Sequence, residues 1–498
     1  MNSSQQEEKH SYRNIFRATT LFGGVQAYQI LINVIRSKFV AVLLGTTGVG
    51  LQGLYQSVIS LTRSITSLGL SQSAVRDVSE ANGSGNQERV GTTVSTLRRL
   101  VWFTGLLGTL FVICLSPFLS QLTFGNHDYT VPLIVLSCIL LIDQLGSGQT
   151  VILQGMRRLK DLAKASAIGS TLGLIVSIPL YYLLGIKGIV PTLILYSVIN
   201  LTISWLFAKR IPLQKVKLSF KETWRQGKWM MRMGVAMSLS GIFATAVSYV
   251  IRTFIMRQSG PESVGLYQAG FAIINTYVGM VFTAIGTDFY PRLAAVNQDD
   301  AACRNVISQQ GEIATHILAP LLCICILLMP LILKILYSDL FLDAAPFVIW
   351  CCPGMMFKLA SWLVAFQFIA KAESRLFITT EFVSGSIFLI LSLLGYQWKG
   401  LVGMGIGFTL NYIFYLVIVF VIAFKRYHFS LSEGFAKAFL IHLGLTICAL
   451  VSIMSLHSPV KYIICTIVTT ISVAYAIYML NQKTGLLSTL KERIHPGK

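Results

Sequence analysis

The sequence predicts an all-α polytopic membrane protein of about 14 transmembrane helices, on three observations. Hydrophobic residues make up 54% of the 498 and charged residues only 12%, with a mean hydropathy of +0.68. Soluble domains carry roughly 25% charged residues. The apolar runs reach the about 20 residues that a membrane helix needs. They are too long and continuous for the roughly ten-residue alternating strands of a barrel, and a helix satisfies its own backbone hydrogen bonds in lipid. Third, the chain repeats itself. Val34-Ile35-Arg36 and Val250-Ile251-Arg252 lie 216 positions apart, and Val49-Gly50-Leu51 and Val264-Gly265-Leu266 lie 215 apart. The expected architecture is two parallel-repeat six-helix bundles, 1–210 and 229–426, around a central cavity. A basic connector, 211–228, joins them, and two extra helices with a basic tail occupy 427–498.

In chain order, the polar segment Met1 to Asn14 lacks the character of a cleavable signal peptide. Span 1 (15–44) carries Gln26, Gln29, Asn33 and Arg36, and span 2 (50–72) carries Arg63 near its middle. Spans 3 (99–121) and 4 (130–152) follow a polar loop, and Asp143 falls inside span 4. Spans 5 (163–184) and 6 (188–208) flank Gly185-Ile186-Lys187-Gly188, and the connector then brings Lys and Arg together with Trp224. Such a segment either lies as an amphipathic helix on an anionic leaflet or serves as a plain positive-inside anchor. Span 7 (229–257) contains Arg252, and span 8 (265–288) follows Gly260-Pro261-Glu262-Ser263. Spans 9 (313–336) and 10 (345–369) lead to Lys371-Ala372-Glu373-Ser374-Arg375, with Lys358 in span 10. Glu381 opens span 11 (376–395), and span 12 is 400–424. Spans 13 (435–456) and 14 (461–480) fall outside the repeat.

The net charge of +20 distributes by alternate loops, as the positive-inside rule requires, which argues against nucleic acid and places both termini in the cytoplasm. The nine cysteines sit almost entirely in apolar segments without metal-site spacing, so neither disulfides nor a metal is expected. No GxxxxGK[ST] phosphate loop occurs, no cofactor is implied, and no outer loop is long enough for a catalytic domain.

A lysine or arginine at a membrane-helix centre costs at least about 2.5–3.5 kcal/mol on insertion scales, so one kept there normally faces a cavity or a partner. Arg36, Arg63 and Arg252 are the leading candidates for substrate binding, with Lys358. For Arg257 and Lys38, snorkelling to the headgroups is the favoured reading. Arginine suits phosphate, because its planar fork donates paired hydrogen bonds and does not deprotonate. Gln26, Gln29 and Asn33 would offer hydrogen bonds to a hydroxyl-rich ligand; interhelical packing accounts for them equally well. A shift of 213 aligns Gln154 with Gln367 and sets Asp143 two residues from Lys358. That near-equivalence suggests an ion pair, either a conformational switch or purely structural. Glu381 is either a protonatable coupling site or the neutralising partner of Lys371 or Arg375, the latter being favoured.

These motifs carry a resemblance. The turn Gly260-Pro261-Glu262-Ser263-Val264-Gly265-Leu266-Tyr267 and its first-half counterpart resemble the multidrug/oligosaccharidyl-lipid/polysaccharide exporter (MOP) superfamily. Leu122 to Tyr129, and Phe357-Lys358-Leu359 through Ala370 to Phe377 with Glu381, resemble the Wzx-type O-antigen and enterobacterial-common-antigen flippases of bacterial inner membranes. The likeness covers spans 1–12, while the last two helices resemble fourteen-span polysaccharide and peptidoglycan-precursor relatives. It implies movement of an undecaprenyl-diphosphate-linked glycan from the cytoplasmic to the periplasmic leaflet by alternating access, with spans 1, 2, 7 and 8 lining the cavity. Membrane lipids and the polysaccharide polymerase machinery are the partners implied, and a monomer is expected. Two alternatives stand beside it: a multidrug/cation antiporter of the same superfamily, and a membrane glycosyltransferase or ligase of polysaccharide assembly.

Overall fold

The computed structural model describes residues 3–214, 216 and 218–484, with side chains from Gly24 to Lys483 apart from 215, 217 and Phe220. Among the described residues there is no strand. The helices in chain order are α1 (Ser3–Thr66), α2 (Leu70–Gly83), α3 (Gln87–Phe124), α4 (Thr130–Leu136), α5 (Cys138–Gly155), α6 (Leu159–Leu184) and α7 (Ile189–Ala208). They continue with α8 (Phe220–Ala272), α9 (Gly279–Ala295), α10 (Asp300–Leu336), α11 (Ala345–Ala370), α12 (Ser374–Tyr427), α13 (Glu433–Ser455) and α14 (Val460–Thr484). Among the described residues, ten helical stretches are long and apolar enough to cross a membrane.

Four of those stretches turn at a glycine. The backbone is left-handed at Gly45 (φ 66°) within α1, at Gly185 (φ 54°) between α6 and α7, at Gly260 (φ 79°) within α8 and at Gly400 (φ 56°) within α12. A side chain would oppose that conformation, and glycine adopts it freely. Gly45 pairs with Gly260 and Gly185 with Gly400, each pair 215 positions apart. The same interval links two non-glycine residues of positive φ, Arg157 (56°) and Ala372 (59°). Their helix ends match as well: Arg158 N donates to Leu153 O at 2.8 Å, and Glu373 N to Phe368 O at 2.8 Å. The repeat therefore runs at 215 through spans 4 and 10. The sequence alignment at 213 is corrected by two residues, and Asp143 and Lys358 become strictly equivalent positions.

The chain forms two compact units, 1–265 and 266–498. In the first, α3, α5 and α7 pack in succession and α1 lies on α6. Its core joins Leu70, Ala74 and Val78 of α2, Val94 and Leu97 of α3 and Val151 to Leu153 of α5 to Met230 and Met231 of α8. The beginning of span 7 thus belongs to this unit. A capping box starts α8: Glu222 N donates to Ser219 Oγ at 3.2 Å and Ser219 N to Glu222 Oε2 at 2.8 Å. Arg99 of α3 reaches Thr223 Oγ1 at 2.8 Å, and Thr96 Oγ1 donates to Gln226 Oε1 at 3.0 Å. The end of the connector therefore forms the first turns of α8, packed on α3 through these polar pairs.

The two repeated corners meet within this unit. A β-carbon on Gly50 would stand 1.9 Å from the Pro261 carbonyl oxygen, and one on Gly265 would stand 2.0 Å from the Thr46 carbonyl oxygen. Positions 46 and 261 are equivalent in the repeat, as are 50 and 265, so this is one contact made twice. Thr47 Oγ1 donates to Glu262 Oε1 at 3.3 Å, and those two positions are also equivalent.

In the second unit α11 packs closely on α12, and α10 is shared by α11, α13 and α14. Buried His442 of α13 ties the last two helices to α10: its Nε2 lies 3.0 Å from Nδ1 of His316 on α10, and its Nδ1 lies 3.3 Å from Ser472 Oγ of α14.

Candidate functional site

The first unit contains a polar cavity of about 260 Å³. Arg36 comes from α1 before the Gly45 corner, and Gln56, Ser60 and Arg63 from α1 after it. Asp143 comes from α5 and Tyr196 from α7. Gln56, Ser60 and Arg63 recur at helical spacing and so occupy one face. The Gly45 corner folds α1 back on itself, which lets Arg36 and Arg63, 27 positions apart, face one space.

Arg63 Nη1 donates to Asp143 Oδ2 at 2.9 Å, with the two side chains 48% and 23% exposed. Arg36 has no carboxylate. Its guanidinium carbon lies 4.4 Å from the centre of the Tyr196 ring, a cation–π stack. Its Nε and Nη2 are buried and make no hydrogen bond of ordinary geometry, although the Tyr181 hydroxyl lies beside the guanidinium. Leaving a buried donor unpaired costs about 1–3 kcal/mol, and more when it is charged. The formal charge of the three ionised groups is positive, and two guanidinium forks face a space with one carboxylate. An anion with several oxygens would satisfy the stranded donors and compete with Asp143 for Arg63.

The remaining predicted residues go elsewhere. Gln29 Nε2 donates to Ser166 Oγ of α6, which is the packing role; Gln26 and Asn33 are exposed on α1, outside the cavity. Arg252 is half-buried on α8 and does not line the cavity. Arg257, read as a snorkelling residue, instead donates through Nη1 to the Gln121 carbonyl at 2.5 Å, where α3 ends and carbonyls lack partners. Asp143 is engaged by Arg63 of its own unit, and Lys358 belongs to the second unit. Its Nζ lies 5.5 Å from the Phe282 ring centre and 5.4 Å from that of Tyr412, in the second unit. Glu381 does not neutralise Lys371: Lys371 Nζ pairs with Asp300 at 2.7 Å, and Glu381 accepts from the Tyr415 hydroxyl at 2.6 Å. Sequence reasoning missed Gln56, Ser60 and Tyr196. The first two were visible as a polar stripe leading to Arg63, whereas nothing local marks Tyr196.

Long apolar helices broken at repeated glycines, with a charged cavity inside the first unit, are the architecture of a multi-pass membrane protein. The family follows from the sequence. Residues 39–346 match the family described as polysaccharide biosynthesis protein, and the chain belongs to it. No curated protein sequence matches the chain. Among solved structures it is similar to the lipid II flippase MurJ in an inward closed conformation, with a TM-score of 0.69 at 12% identity over 93% of this chain and 99% of that one. A multidrug resistance MATE family transporter of the MOP superfamily, inward-facing, gives 0.67 at 15% identity over 82% and 96%. A MOP superfamily transporter from Pyrococcus furiosus with a binding pocket of reverse polarity gives 0.54 at 16% over 82% and 94%. At these identities the likeness is one of fold: the chain has the all-α fold of MOP-superfamily transporters.

Proposed function

We propose that the protein is a flippase that carries an undecaprenyl-diphosphate-linked oligosaccharide, an O-antigen unit or similar surface-polysaccharide repeat, from the cytoplasmic to the periplasmic leaflet of a bacterial inner membrane. The observation that carries this reading is Arg36, stacked on Tyr196 beside a cavity with two buried donors that make no hydrogen bond of ordinary geometry. A diphosphate supplies the missing acceptors. It also offers Arg63 a bidentate partner in exchange for the single oxygen of Asp143. A cavity of about 260 Å³ suits a headgroup and is small for a glycan, so the sugars need the space that alternating access opens. The lipid tail stays in the bilayer. Membership in a polysaccharide biosynthesis family and likeness to a lipid II flippase support the same substrate class.

The reading retains the two bundles, 1–210 and 229–426, as the moving parts. It counts a crossing on each side of the four glycine corners, which turns ten stretches into fourteen spans. Both termini then lie on one side, which the positive-inside rule makes the cytoplasmic one. Arg252 and Lys358 are assigned to later positions of the substrate, and Glu381 with Tyr415 to coupling.

The test is translocation of a fluorescent undecaprenyl-diphosphate oligosaccharide in proteoliposomes. Wild type should flip it, and Arg36→Ala should slow flipping at least about tenfold while remaining folded, as expected for a lost charge-assisted hydrogen bond. Normal flipping by the variant would remove Arg36 from the substrate path. Export of organic cations in place of lipid by the wild type would transfer the protein to the antiporter class.

A further inference from the structure

A second cavity in the first unit, about 680 Å³, lies apart from the polar one. Three helix faces form it. Arg98, Val101 and Trp102 come from α3, Leu145 and Gln149 from α5, and Leu201 and Trp205 from α7, with Lys209 just beyond. The intervals of three and four within each group place each set on one side of its helix. The cavity has a polar end and an apolar end. Arg98 and Lys209 supply two cations, and among the described residues neither is in an ion pair. Lys209 Nζ lies 5.0 Å from the Trp205 ring centre. Trp102 and Trp205 are 50% and 45% exposed, as indoles are at the boundary between acyl chains and headgroups. Gln149 is only 9% exposed, and its Oε1 is buried with no donor. Val101, Leu145 and Leu201 make up the apolar part.

We infer that this cavity is a binding site for one anionic phospholipid with a hydroxylated headgroup, of the phosphatidylglycerol type. Its phosphate lies between Arg98 and Lys209, a headgroup hydroxyl donates to Gln149 Oε1, and an acyl chain runs along Val101, Leu145 and Leu201. Charge decides the class. A zwitterionic lipid would bring an ammonium group to two unpaired cations, whereas a basic pocket between membrane helices retains an anionic headgroup. The stranded amide oxygen requires a donor, which a bare phosphate monoester does not offer at neutral pH and a glycerol headgroup does. The volume falls in the range of small-ligand pockets and accommodates a headgroup with part of one chain. This site is separate from the Arg36 cavity and its occupancy does not depend on what the protein transports.

Native mass spectrometry of the full chain, released from detergent with phosphatidylglycerol, phosphatidylethanolamine or a polyprenyl phosphate, tests the inference. Wild type should retain phosphatidylglycerol roughly tenfold better than phosphatidylethanolamine, as expected for two interfacial cations. R98A/K209A should abolish that preference. L145W, which fills the apolar end and leaves the cations in place, should abolish it too, so the result does not rest on one variant. Lys187→Ala, remote from the cavity, should leave it intact. Equal retention of both phospholipids by wild type, or an undiminished preference in both slot variants, would overturn the assignment. So would retention of polyprenyl phosphate with release of phosphatidylglycerol, which would make the slot part of the substrate path.

Discussion

Position 143 in the first unit and position 358 in the second occupy the same place in the 215-residue repeat, yet they differ in every chemical respect. Asp143 is an acid in an ion pair with Arg63 beside a polar cavity. Lys358 is a base held between two aromatic rings. The backbone has kept its period at Gly45 and Gly260, at Gly185 and Gly400, and at the helix ends after Leu153 and Phe368. The charges have not. Backbone geometry is set by a few glycines and caps that a fold cannot lose, whereas the polar centre of each repeat is free to take a different task.

Breaking this comparison should show the two sites to be unequal. The largest effect is expected from Arg63→Ala, which takes one of the two guanidinium forks from the cavity and leaves Asp143 without its partner. Loss of a charge-assisted hydrogen bond of about 1.5–3 kcal/mol to the substrate predicts a fall in translocation of roughly 10- to 100-fold in the proteoliposome assay. Combined with Asp143→Ala, the change should be non-additive, since both residues share one interaction; strict additivity would mean that the pair plays no part. Next comes the shared backbone. Gly50→Ala forces a methyl onto the Pro261 carbonyl and should lower thermal stability more than Gly260→Ala. The latter meets open space and costs only its backbone conformation (φ 79°, ψ −178°), which is essentially reserved for glycine, about 1–3 kcal/mol. Melting curves giving the reverse order would refute the paired-corner contact. The smallest effect should come from Lys358→Met, which removes two cation–π contacts worth about 0.5–1 kcal/mol at a partly exposed site. Translocation should fall a few-fold with little change in melting temperature. A loss as deep as that of Arg63→Ala would make the two sites equal partners.

The helical fold, the apolar segments and the repeat were legible because lipid imposes length and composition on any helix that crosses it. The Gly45 and Gly260 corners were legible as matching glycine turns; Gly185 and Gly400 were not paired in advance, because little besides the spacing of Gly185 with Gly188 and Gly400 with Gly403 is shared there. Arg36 and Arg63 were legible as charges misplaced in apolar runs. The partner of Asp143 was not. Arg63 lies 80 positions away on another helix, and no local pattern ties the two together. Gln29 shows the limit from the other side, because a glutamine in a membrane helix has the same spelling whether it binds sugar or, as here, Ser166.

The contact of the Gly45 and Gly260 corners has a mechanical consequence. Peptide backbone rests on peptide backbone at Gly50 against Pro261 and Gly265 against Thr46, with no side chain between them. Such a joint has no rotamers to absorb a displacement, so torque on one helical hairpin passes undamped to the other. Because the contact is made twice about one centre, the two hairpins must yield together: the joint transmits rotation and resists shear.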